Sequence, residues 1–332
     1  MPAKLRDQLG RWETILGACV IALVIVSVVT TPGFLSGFNV QTSVSNMSDT
    51  ALMTLPLVLL IIAREIDISV ASIAGLSSTC AGIVLNHNGS LAVSICVALL
   101  VGLACGAFNG FCVTVLRLPS LVVTLGSLAL FRGLCYILLG SNVVTAIPTS
   151  LINFCNDSLF GTDLPLDILP YIILAPAFAI VLHRMAVGRR IYAIGGNPAT
   201  AQYSGVRLAR IKFGMFAASG VLCAIAGVIN MGITSQASPD ALLGNELYAL
   251  TIVFLGGVSF LGGKGRISGV VLSLILLISL TSTLQLHNVS SYAQGTAIGI
   301  LLIFSLLLSN IAGDISAKLS DRRKRRAVHI ST

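Results

Sequence analysis

"LAVSICVALLVGLACGAFNGFCVTVL", residues 91–116, carries no charged side chain, and Ser94, Asn109 and Thr114 are its main polar interruptions. A helix needs about 20 predominantly apolar residues to cross a hydrocarbon core about 30 Å thick, and this run exceeds that length. It is not isolated. Reading outward with a window of about 19 residues gives further spans near 15–31, 46–63, 68–86, 119–140, 166–185, 213–234, 248–263, 267–286 and 292–312, about ten in all. The whole chain agrees: of 332 residues 55% are hydrophobic and 10% charged, with a mean hydropathy of +0.96. Backbone polar groups in lipid must be satisfied within each segment, and the period-2 alternation of a barrel is weak here. The sequence therefore predicts an all-α polytopic membrane protein.

The positions of the charges test the count, because Lys and Arg gather on the cytoplasmic side of short loops. With ten spans and the N-terminus inside, Lys4, Arg6, Arg11, Arg64, Arg117, Arg184, Arg189, Arg190, Arg207, Arg210, Lys212, Lys264 and Arg266 all fall inside, together with the tail "KLSDRRKRR" at 318–326. Asp157, Asp163, Asp167, Asp240 and Glu246 fall outside. Losing or adding one span would invert every later loop. The expected division is a cytoplasmic N-terminus (1–14), a membrane domain (15–312) with a cytoplasmic loop at 186–212, and a basic cytoplasmic tail (313–332) lying on anionic lipid. The basic start and first apolar run lack a small-x-small cleavage pattern, so 15–31 is expected to stay as a membrane helix. The net charge of +8 sits at the ends of apolar runs, which fits a membrane and not nucleic acid.

Enzyme chemistry is missing from the pattern. There is no HExxH or GxSxG; the four His residues are far apart, and the Cys residues in the apolar runs include no CxxC pair. "GGVSFLGGKGR", 256–266, has a Gly-Lys pair, but phosphate-loop spacing would need Gly at Val258 and Ser or Thr at Gly265. No catalytic residue, metal site or cofactor is therefore expected in this chain, and any ATP would be hydrolysed by another subunit.

Polar residues at membrane depth are the remaining candidates for function. "AREIDISVASIAG", 63–75, sets Arg64, Glu65 and Asp67 between two apolar runs. Three readings fit: a solvated cytoplasmic turn with Asp67 capping the next helix, a gate in which Asp67 or Glu65 pairs with a basic residue, or a substrate contact. Adjacent helical residues point about 100° apart, so Arg64 and Glu65 need not pair with each other. Gly102, Gly106 and Gly110 lie on one helix face and suit close helix packing, with Asn109 beside them. Arg132 is the one basic residue inside a span. It needs a partner there; Glu246, or failing an acid a carbonyl, is the expected one. Ser69, Thr124, Ser127 and Asn142 complete the candidate pathway liners.

The segment "RMAVGRRIYAIGGNPATAQYSGVRLARIK", 184–212, reads as a cytoplasmic element in which Asn197 caps a short helix that Pro198 opens. Within it, "GRRIYAIGGNPATAQYSGV" resembles the coupling segment of the ribose-type monosaccharide permeases, membrane subunits of ATP-binding-cassette (ABC) importers in the wider superfamily of branched-chain amino acid and sugar permeases. "IDISVASIAGLS", "LPSLVVTLGSLALFRGL", "SPDALLGNELYAL" and "LGGVSFLGGKGRISG" are similar, in order, to further motifs of that family, over roughly residues 45–310. The resemblance implies a type II importer-like permease of the bacterial inner membrane, with both termini cytoplasmic. It implies Gly188, Arg189, Tyr192, Gly195, Gly196, Asn197, Ala201, Ser204 and Gly205 as the surface coupled to an ATPase. It further implies alternating access by two permease subunits, alike or paired with a different one, a periplasmic sugar-binding protein, and ATP with Mg on the partner ATPase. The family's Gly-Gly before Ile-Asp is Arg64-Glu65 here and a later glycine is Ala71, so the cargo stays open among pentose, hexose, deoxysugar, polyol and furanosyl signal. An ATP-independent sugar carrier and a branched-chain amino acid permease are the alternatives.

Overall fold

The computed structural model describes residues 3–307, with side chains from Trp12 onward. The tail 313–332, the last residues of the tenth expected span and the side chains of Lys4, Arg6 and Arg11 lie outside the described residues.

The described chain is helical: α1 (Ala3–Thr30), α2 (Gly37–Ile62), α3 (Val70–Asn86), α4 (Leu91–Thr114), α5 (Ser120–Leu139), α6 (Thr149–Asn156), α7 (Leu169–Arg184), α8 (Ala186–Gly196), α9 (Pro198–Tyr203), α10 (Leu208–Thr234), α11 (Asn245–Leu255), α12 (Ile267–Leu286) and α13 (Ser291–Leu307). Among the described residues the only β pairing is two isolated bridges, Val144 with Ala237 and Ser158 with Pro165. Among the described residues seven helical stretches are long and apolar enough to cross a bilayer: Trp12–Thr30, Gly37–Ile62, Leu91–Thr114, Ser120–Leu139, Leu166–Arg184, Leu208–Thr234 and Ile267–Leu286. The other three expected spans are shorter helices, α3, α11 and α13. The expected 248–263 span stops at Leu255. Gly256 there lies against the backbone of Gly269 and Val270 of α12, and Gly257 (φ +82°) turns the chain into a non-helical loop.

The layering follows from side-chain chemistry. α2 is the centre: 89% of its apolar window is buried, and it packs against α10, α11, α12, α7 and α8. α1, α4, α5 and α7 form the periphery and leave Ile21, Val29, Leu100, Val122, Ile137 and Ile173 exposed. An apolar belt of this extent suits lipid as its neighbour and not water. The glycine stripe of α4 is a packing device. Gly102 and Gly106 lie against the Gly220 and Phe216 backbone of α10, so closely that a Cβ would strike the Gly220 and Phe216 carbonyl oxygens, and Gly110 packs on Phe213 and Phe216. All eight cysteines are free.

Candidate functional site

The charged break at 63–69 is where the membrane core meets the segment 186–212. α2 ends at Ile62, and Arg64 takes a left-handed conformation (φ +64°) that turns its side chain to α8. Its Nε donates to the Gly195 carbonyl at 2.7 Å and its Nη2 to that of Gly196 at 3.0 Å. These carbonyls are the last of α8, where a helix carries its partial negative charge, so a guanidinium there is favourable. The glycine loop closes the junction from a third side: the Gly263 N–H donates to the Ile62 carbonyl at 2.8 Å. A Cβ on Gly195 would collide with both of those groups, whereas one on Gly196 would meet nothing. Tyr192 adds a further tie, its hydroxyl donating to the Gly265 carbonyl at 2.6 Å and lying 3.4 Å from His183 Nδ1. Burial, against a smaller opposing effect of Arg266, pushes the Tyr192 phenol up to about 12, so it is a hydrogen-bond donor at neutral pH.

Glu65 pairs with Lys212, in the first turns of α10, with both side chains largely buried. The solvated-turn reading of this stretch is therefore wrong for its acids. Glu65 is 6% exposed and Asp67 fully buried, because the break sits between α2, α5, α8 and α10 and not in a free loop. Asp67 does meet the start of α3, accepting from Ser69 N at 3.0 Å and Ser69 Oγ at 2.6 Å. Its other oxygen accepts from Ser219 Oγ of α10 at 3.2 Å, and Asn109 Nδ2 of α4 donates to Ser69 Oγ at 2.8 Å. Thr124 of α5 donates to the Ile66 carbonyl at 3.2 Å, and Ser127 donates to the Thr124 carbonyl at 3.3 Å. Asp67, Ser69, Asn109 and Ser219 are thus joined in one buried network, and Thr124 fastens the adjacent Ile66 carbonyl, with Ser127 one turn along. The basic residue paired at the break is held by Glu65, not Asp67.

Arg132 stands apart from that network, near the other end of the bundle. It has carbonyl partners: Nη1 donates to Pro239 at 2.6 Å and to Ala241 at 2.8 Å. Among the described residues it forms no ion pair with Glu246, and the expected acid partner is corrected. Two carbonyls of the 235–244 turn accept from Nη1 of the guanidinium, while Glu246 sits in the first turn of α11, where helix N–H groups suit a carboxylate. Tyr136 donates to Asp240 and holds the same turn. Asn142 is exposed beyond α5.

The loop 186–212 contains more structure than its sequence suggested. α8 is a helix of its own, burying Gly188, Ile191, Ile194 and Gly195 on one face. Gly188 lies against the Leu182 carbonyl at the α7–α8 corner, and Arg189 Nη1 donates to the Arg184 carbonyl at 3.5 Å. Asn197 Oδ1 accepts from Thr200 N at 3.2 Å with Pro198 opening α9, the cap the sequence predicts. Ala201 is buried, Ser204 Oγ donates to the Thr200 carbonyl at 2.9 Å, and Gly205 (φ +81°) ends the element.

A second polar network escaped the sequence reading. Asn230 of α10 donates to Asp49 Oδ2 at 2.8 Å, Thr50 Oγ1 to Asp49 Oδ1 at 3.0 Å, and Asn245 of α11 to Thr50 Oγ1 at 3.1 Å. Asp49 stands beside Asn46, Ser48 and Thr50 at the polar start of the 46–63 span, so its carboxylate did not stand out from its neighbours. Among the described residues no group of His, Cys, Asp and Glu is placed to hold a metal ion.

Residues 39–306 match the family model described as branched-chain amino acid transport system / permease component. The autoinducer 2 import system permease protein LsrC of Yersinia enterocolitica is 35% identical over 269 residues, covering 80% of this chain and 74% of that protein. The LsrC protein of Yersinia pestis is also 35% identical, over 272 residues, covering 80% of this chain and 76% of its own length. No solved structure matches.

Proposed function

This chain belongs to the family of branched-chain amino acid transport system permease components, and from that membership we propose that it is the membrane subunit of an ATP-driven importer carrying a monosaccharide or related small polar carbohydrate. It is a permease subunit and not an enzyme. The relatives named above are permeases of autoinducer 2 import systems, which supports inward transport and makes that compound one candidate cargo.

The observation that carries the reading is the Arg64 clamp. In the proposed cycle a cytoplasmic ATPase pair presses on α8 and α9. Arg64, holding the last carbonyls of α8, and Gly195, lying against the Ile62 carbonyl, tie α8 to α2 and support their moving together. The Glu65–Lys212 pair links the same junction to α10. Displacement of α8 is thus passed to the most buried helix of the bundle and to the helix beside it, which would switch the exposure of a pathway between two permease subunits. A binding protein would deliver cargo at the opposite, outer face.

The test is to purify the tagged chain from native membranes in mild detergent and assay the ATP hydrolysis that accompanies it, beside a version lacking residues 188–205. ATPase activity that co-purifies with the intact chain and is lost with the deletion is the expected result. Folded, abundant protein that brings no ATPase and supports uptake driven by an ion gradient would overturn the proposal.

A further inference from the structure

A cavity of about 450 Å³ opens at the end of the bundle opposite the Arg64 junction, between the first half of α2, the start of α11, the end of α12 and the start of α13. The volume lies in the range of small-molecule sites. Its lining has a consistent chemistry. Asn46 and Thr50 of α2, Asn245 and Tyr248 of α11, Thr281 and Gln285 of α12 and Gln294 of α13 face it, and no lining residue is charged. On three of these helices the polar positions recur three or four residues apart, so each turns one polar stripe to the same space. Asn46, Tyr248, Gln285 and Gln294 stand at the ends of the expected spans, and four helices turning polar side chains to one space give it an aqueous, ligand-accessible lining.

The floor and the mouth of the cavity differ. Thr50, Thr281 and Gln294 are buried; Asn46 and Gln285 are exposed and, among the described residues, make no hydrogen bond through their side chains. The floor is fixed by the Asn245–Thr50–Asp49–Asn230 chain, so it is shaped before a ligand arrives. The mouth keeps free amides that both donate and accept, beside a tyrosine ring able to cover an apolar ring face. Amides, hydroxyls and one aromatic without charge match an uncharged polyhydroxylated molecule, and provide no full charge to pair with a carboxylate or an ammonium group.

We propose that this cavity is a binding site for a neutral monosaccharide or polyol on its way through the permease, with Gln285 and Asn46 contacting the cargo at the mouth and Thr281 and Asn245 contacting it deeper. The inference rests on the function proposed above, and its test separates the two.

The experiment uses the importer purified with its ATPase and binding protein in liposomes, with D-ribose, D-xylose, D-galactose, L-rhamnose and ribitol as probes. It compares the wild type with Gln285→Ala/Thr281→Val and with Asn46→Ala, a change at an exposed position that leaves packing untouched. Sugar moved per ATP hydrolysed is measured with binding protein saturated, so that affinity of the binding protein does not enter. The expected result is a fall of about ten-fold in the double variant, the size of losing two hydrogen bonds, a smaller fall in Asn46→Ala, and an altered order among the probes. Unchanged ratios and order in both variants would overturn the site while leaving the function standing, and so would variants that lose only subunit assembly, which would make this face an interface between permeases. A wild-type importer that moves neither these probes nor autoinducer 2, assayed alongside them, would overturn the proposed function and the site with it.

Discussion

Arg64 and Glu65 are neighbours that act on different partners. Arg64 reaches α8 and Glu65 reaches α10, so the pair joins two elements to the end of α2. Replacing Arg64 by Ala is expected to leave ATP hydrolysis running while cargo uptake falls about ten-fold, the loss of two charge-assisted hydrogen bonds. Arg64→Lys is expected to rescue only part, because an ammonium cannot serve both carbonyls in a fixed fork; uptake and ATPase rates in liposomes measure both. Glu65→Gln strands the Lys212 ammonium and is expected to cost about 1–3 kcal/mol. Adding Lys212→Met is expected to recover most of it, read as thermal unfolding in detergent. What the sequence offered at this scale was that Arg132 needed a partner and that Asp67 or Glu65 was a candidate to pair with a basic residue. Which partners could not be read from it, since Gly195, Ser219 and Pro239 lie far along the chain and are met only through tertiary packing.

At the scale of elements, hydrophobic run length placed the helices well and misjudged their ends. Residues 248–263 read as one span because Val258, Phe260 and Leu261 continue the apolar run, yet Gly256 and Gly257 end α11 where the backbone meets α12. α8 was missed as a helix because "GRRIYAIGG" mixes charges and glycines, weak evidence for a helix in isolation; its buried face exists only against α7, α2 and the glycine loop. The cap of α9 was legible because Asn197-Pro198 is local chemistry. This docking predicts a sharp contrast between adjacent glycines. Gly195→Ala has no room for its methyl and is expected to release α8, so that limited trypsin digestion at Arg189 and Arg190 quickens by about ten-fold through local opening. Gly196→Ala, with open space at its Cβ, is expected to digest like the wild type. Arg132→Ala is expected to raise hydrogen exchange in the 235–244 turn about ten-fold or more, while α10 below it stays protected.

For the whole molecule, the apolar belt on α1, α4, α5 and α7 and the buried α2 agree with the class that composition predicts, and the positive-inside rule gives an expected orientation that labelling can test. Membrane-impermeant maleimide applied to intact cells or spheroplasts is expected to label Asp163→Cys and not Ser204→Cys, and the reverse result would invert the orientation. Composition could not show that the spans are unequal. α2 is the least apolar of the seven long stretches and the most buried. That inequality bears on how the protein is made. α2 enters the bilayer early in synthesis carrying Asp49, whose partner Asn230 is 181 residues further along the chain. Until α10 is synthesised, the carboxyl group is without that amide, so the N-terminal half is the stage at which quality-control proteases of the membrane have the most to grip. A chain truncated before α10 is therefore expected to be degraded instead of accumulating as a stable fragment, as a pulse-chase of the truncated and full chains would measure.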